Sequence, residues 1–151
     1  MNAGGRGNPR WIAEMFARTW LLTLVRAALV SAYLVGGLTK LADFRGAVLE
    51  QQRFGLHPGW LWAALAISVE LGGSVCVIAD RFVWLGAGAL GALTAVAMFV
   101  ANDFWNLTGD ARFFALNAFF EHLGLIAALA MATCLTDVHI SSSHAGVQQK
   151  C

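Results

Sequence analysis

Apolar residues run in four long stretches, at about residues 19–41, 60–79, 82–102 and 113–135, separated by short polar segments. Each stretch is roughly twenty residues, the length a helix needs to cross a hydrocarbon core about 30 Å thick at about 1.5 Å rise per residue. The pattern predicts an all-α membrane protein, a four-transmembrane-helix antiparallel bundle, because short links make successive helices antiparallel neighbours. Between the first two spans, residues 44–54 are too few and too polar to cross, yet Phe44, Val48 and Phe54 line one side. A short amphipathic helix lying at the interface is expected there. Gly55-Leu-His-Pro-Gly59 ends it, and Asp80-Arg81 leaves room only for a tight hairpin between the second and third spans. Small residues recur every fourth position at Ala28, Ala32 and Gly36, at Ala87, Gly91 and Ala95, and at Gly124, Ala128 and Ala132, which predicts close helix packing. All six tryptophans, at 11, 20, 60, 62, 84 and 105, fall beside the ends of the expected helices, as an interfacial aromatic belt requires. The expected organisation is a flexible tail over 1–10, one membrane domain over 11–135 that opens with a short interfacial helix at Trp11 to Arg18, and a polar flexible tail over 136–151.

Composition narrows the picture. Apolar residues make up 58% of 151, and the mean hydropathy is +0.64, far above soluble globular proteins. Only 13% of residues are charged and the formal net charge is +1, which excludes an electrostatic footprint for nucleic acid. Cys76, Cys134 and Cys151 form no dithiol pair and no zinc spacing, and no metal site is expected. The first apolar run contains Arg26 and reads as a retained membrane helix, not a signal peptide. An even number of spans puts both termini on one side. Arg6, Arg10, Arg18, Arg81 and Lys150, set against Lys40, Arg45, Arg53 and Arg112, favour the cytoplasm for that side.

Ionisable residues inside the spans are the candidate chemistry. Glu70 lies mid-run in the second span, Arg26 in the first and Glu121 in the fourth. An ionised group at that depth costs several kcal/mol unless it is paired, protonated or wetted. By helical rise alone the three lie about 20, 16 and 12 Å from the polar ends nearest Lys40, Gly59 and Phe113. Arg26 and Glu70 are therefore expected to pair, with Glu121 close by as a second carboxylate. Asn117 shares the Glu121 face at one helical turn, while His122 is turned about 100° away. Two readings stay open: a polar pocket that binds or deprotonates a small ligand, or a structural clasp that fixes helix register.

One set of residues carries a resemblance. Arg26, Gly36-Gly-Leu-Thr-Lys-Leu-Ala-Asp-Phe44, Val69-Glu-Leu-Gly-Gly73, Asp103-Phe-Trp105 and Phe120-Glu-His-Leu-Gly124, in that order on a four-helix hydropathy pattern, resemble the DoxX family. The family is similar to the membrane subunit of thiosulfate:quinone oxidoreductase. Glu121-His122 departs from the Lys-Asn usual at that point. The resemblance implies a bacterial-type inner-membrane protein with redox-linked relatives, and a quinone as the candidate ligand. Glu70, Arg26 and Glu121 would then be the candidate catalytic groups, with Asn117, His122, Trp105 and Lys40 as candidate ligand-binding groups. The chain carries no haem-type ligand pair, flavin or nucleotide motif, or dithiol, so a soluble or membrane redox partner is expected beside the lipid bilayer, and a homo-oligomer is a further candidate. A non-catalytic membrane partner that docks a soluble redox enzyme is the alternative.

Overall fold

The computed structural model describes residues 19–148, with side chains from 20 to 135. Its elements, in chain order, are α1 (Thr19–Ala42), α2 (Phe44–Arg53), α3 (Gly59–Ile78), α4 (Val83–Ala101), a 3-10 turn (Phe104–Asn106) and α5 (Gly109–Gln148). No strand occurs among the described residues. Four helical segments, Trp20–Ala42, Gly59–Ile78, Val83–Asn106 and Gly109–Leu135, are long and apolar enough to cross a membrane. This is the all-α, four-span architecture that the hydropathy pattern predicts. The expected interfacial helix at Trp11 to Arg18 and the tail over 1–10 lie outside the described residues. At the other end the backbone stays helical through Gln148, past the expected end at Leu135. No proline stands between those positions to break the turn.

Local chemistry explains the joints. Asp43 separates α1 from α2, and its carboxylate accepts a hydrogen bond from the Gly46 N–H at 2.9 Å, capping α2. Gly55, at φ +77°, lets the chain turn back into α3. The α3–α4 hairpin is tight enough to hold Asp80 and Phe82 at φ 56° and 55°, uncommon for residues with a side chain. The Arg81 N–H reaches back to the Cys76 carbonyl at 3.1 Å and closes the end of α3.

α3 packs between α1 and α4, and α5 packs on α4 while touching α1 only lightly. Val30, Tyr33, Val77, Ala87, Leu90 and Leu129 form the shared core. Close approach relies on glycine. A Cβ on Gly86 would lie 2.7 Å from the Gly73 carbonyl oxygen, and one on Gly37 would lie 2.8 Å from Leu71. The packing glycines are thus Gly37, Gly73 and Gly86. Of the expected stripes, Gly91 and Gly124 meet nothing within 4 Å, while Ala28 and Ala32 are exposed. Gly36 and Ala87 of the same stripes do sit at contacts, facing Glu70 and within the shared core; spacing fixes a face without saying which neighbour fills it.

Candidate functional site

Glu70 is 7% exposed, on the face of α3 that meets α1. One carboxylate oxygen, Oε1, accepts from the Lys40 ammonium at 2.5 Å. The other, Oε2, is buried with no hydrogen-bond partner among the described residues. Gly36 stands opposite, where a Cβ would sit 3.5 Å from Oε2. The glycine pair of α1 therefore makes room for the carboxylate, and Lys40, one turn further along α1, reaches it with its flexible stem.

The expected pair between Arg26 and Glu70 does not form. Arg26 bonds Asp80 at 2.8 Å, at the hairpin end. Register explains the difference. Gly36 faces Glu70, so in an antiparallel pair ten residues back along α1 to Arg26 match ten residues on along α3 to Asp80. Counting depth from Lys40 and from Gly59 assumed that both helices start in one plane. In fact α3 begins about 11 Å nearer the surface than Lys40, since Glu70 lies eleven residues into α3 but only one turn from Lys40.

Glu121 does not join this site either. It and Asn117 are exposed on α5, a helix that does not pack on α3. His122 is half-buried, and its Nδ1 lies 2.5 Å from the Ala118 carbonyl oxygen. Trp105 is exposed on the 3-10 turn, edge-on to Phe104. Of the expected residues, only Glu70 and Lys40 are brought together.

Beside the pair opens a cleft of about 420 Å³ between α2, α3 and α4, within the range of small-molecule sites. Its polar lining is Lys40 and Glu70 with Glu50 and Gln51 of α2; Phe54, Trp62, Leu65, Val69, Leu93, Val96 and Val100 make the rest largely apolar. Leu65 and Val96 are about half exposed, at 50% and 49%, so the apolar wall borders the lipid-facing surface. Glu50, Gln51 and Trp62 were not among the sequence candidates. An amphipathic pattern shows that α2 has two faces, but not that one of them roofs a cleft. Tyr33 and Thr94 were also missed. The Thr94 hydroxyl donates to the Leu90 carbonyl at 2.7 Å, so its oxygen accepts from the Tyr33 phenol at 2.5 Å, tying α1 to α4 in the core. The signal for them was available, as Tyr33 is the single tyrosine of the chain and stands in an apolar run. No cluster of metal-ligating side chains occurs among the described residues.

A family model described as DoxX matches residues 21–103. That interval covers α1 to α4, with the Lys40/Glu70 pair and the whole cleft, and ends before α5. No curated protein and no solved structure matches the chain.

Proposed function

The chain belongs to the DoxX family, and from that membership we propose that it holds a membrane-soluble ligand of the quinone type in the α2/α3/α4 cleft, as a redox-linked membrane subunit. One observation carries the reading: a part-buried lysine–carboxylate pair lies in the wall of a largely apolar cleft that borders the lipid-facing surface. A ring with an apolar tail fits both halves of that lining. The Lys40 ammonium would donate to a ring carbonyl oxygen. Glu70, which lines the cleft, would take a proton from a ring hydroxyl or return it. Reducing a quinone to a quinol takes two electrons and two protons. The pair handles protons and orientation, and a soluble or membrane-bound redox partner would supply the electrons. We place the protein in a bacterial-type inner membrane with cytoplasmic termini, from the family and the charge bias of the links.

Tryptophan fluorescence tests this directly, because Trp62 lines the cleft and quinones quench indole emission. A short-chain ubiquinone analogue titrated into the purified protein should quench saturably. Trp62→Phe should remove much of that signal, and Glu70→Gln or Lys40→Met should weaken binding roughly tenfold, the worth of about one charge-assisted hydrogen bond. Quenching that is linear in quinone and unchanged by all three substitutions would refute the site.

A further inference from the structure

We infer that α5 carries a self-association face, on which Glu121 and Asn117 meet the same residues of a second copy across a two-fold axis along the membrane normal. This stands apart from the quinone reading, since α5 contributes nothing to the cleft lining. Glu121 lies eight residues, about 12 Å, inside the apolar stretch that begins at Phe113, yet its side chain is exposed. It makes no ion pair or hydrogen bond among the described residues. At about that depth the headgroups lie beyond the reach of a glutamate, and lipid tails offer it nothing. Another protein group at the same depth must cover it.

Among the described residues the bundle itself does not. α5 meets α4 through Phe119, whose ring lies 5.7 Å from that of Phe99. Glu121 lies two residues on, about 200° of helix turn round, and only light contact with α1 is made. Asn117, Glu121, Gly124 and Ala128 share one face within about 60° of the wheel. Gly124 meets nothing within 4 Å, so this face is open to close approach by another backbone.

Depth and chemistry together point to a second copy as the occupant. A copy in the same orientation presents its own Asn117 and Glu121 at matching depth. Each amide N–H₂ can then donate to the opposite carboxyl, giving two equivalent hydrogen bonds from one contact, as an isologous interface requires. Very little of the Gly109–Leu135 segment is buried within one copy, at 6% against 39% for Gly59–Ile78, which leaves the face free for this contact.

Disulfide trapping in native membranes tests the inference, using full-length chain with Cys76, Cys134 and Cys151 replaced by serine. Gly124→Cys should give a covalent dimer on mild oxidation, at least about tenfold more than Leu123→Cys, which lies about 100° round the wheel and off this face. Adding Glu121→Leu or Asn117→Leu should cut dimer yield roughly tenfold by removing both hydrogen bonds, whereas Glu121→Gln should preserve it. Because serine replacement alone can lower yield, fluorescence energy transfer between differently labelled wild-type copies in dilute proteoliposomes provides a second readout, and Glu121→Leu should reduce it. Equal linking from positions 123 and 124, a link at 124 to an unrelated protein, or energy transfer indifferent to Glu121→Leu would each overturn the inference.

Discussion

At the scale of single residues, the Lys40/Glu70 pair decides the most. Its two members are not equivalent. The Lys40 side chain is 22% exposed and can swing its ammonium toward the interface, whereas the Glu70 side chain is 9% exposed and held against Gly36. Removing one partner of a buried pair costs roughly 3–5 kcal/mol, and replacing both with apolar groups of similar volume can be nearly neutral. Lys40→Leu should therefore destabilise more than Glu70→Leu, and the double substitution should recover most of the loss, as read by thermal unfolding in detergent. Arg26→Leu and Glu70→Leu should instead add within about 0.5 kcal/mol, because these residues stand some 15 Å apart in register. A strong coupling between Arg26 and Glu70 would contradict the geometry. The sequence marked both charges as expensive, since an apolar run makes an ionisable residue conspicuous. It did not reveal their partners, because pairing depends on the axial offset of two helices and no residue pattern records that offset.

Elements were more legible. Twenty-residue apolar runs between polar links have one physical solution in a bilayer, and the two-residue polar link at Asp80 admits only a hairpin. Which glycines would matter was less clear, because Gly36, Gly37, Gly73 and Gly86 are distinguished from Gly88 and Gly91 only by what faces them. Gly86→Ala should cost about 1–3 kcal/mol by driving a methyl into the Gly73 carbonyl and the Cys76 side chain, while Gly88→Ala, with nothing within 4 Å, should stay within about 0.5 kcal/mol. Unfolding of the two variants side by side checks this. For α2 the exposed lever is its cap. Asp43→Ala removes the bond to the Gly46 N–H, at a cost of about 0.5–2 kcal/mol. Because Glu50, Gln51 and Phe54 of the same helix line the cleft, that change should also weaken ligand binding. If it lowered helix stability with no effect on binding, α2 would be a passive connector and not a wall of the site.

For the whole molecule, one arrangement connects stability with function. Glycine contacts bring α1, α3 and α4 together closely enough to bury a carboxylate, and α2 folds over the end of that assembly to leave a cleft with a polar corner and an apolar side. Family membership fits the same part of the chain, since the matched interval ends at residue 103 with the cleft complete. The most direct measurement is photo-crosslinking of a quinone analogue, carrying its reactive group on the ring, to the protein in native-like membranes, followed by peptide mapping. The expected result is labelling confined to Trp62–Glu70 of α3, Leu93–Val100 of α4 and Glu50–Phe54 of α2, competed by excess unlabelled quinone and reduced by Glu70→Gln. Labelling spread along the lipid-facing surface of α5, or unaffected by competitor, would contradict a quinone site in the cleft.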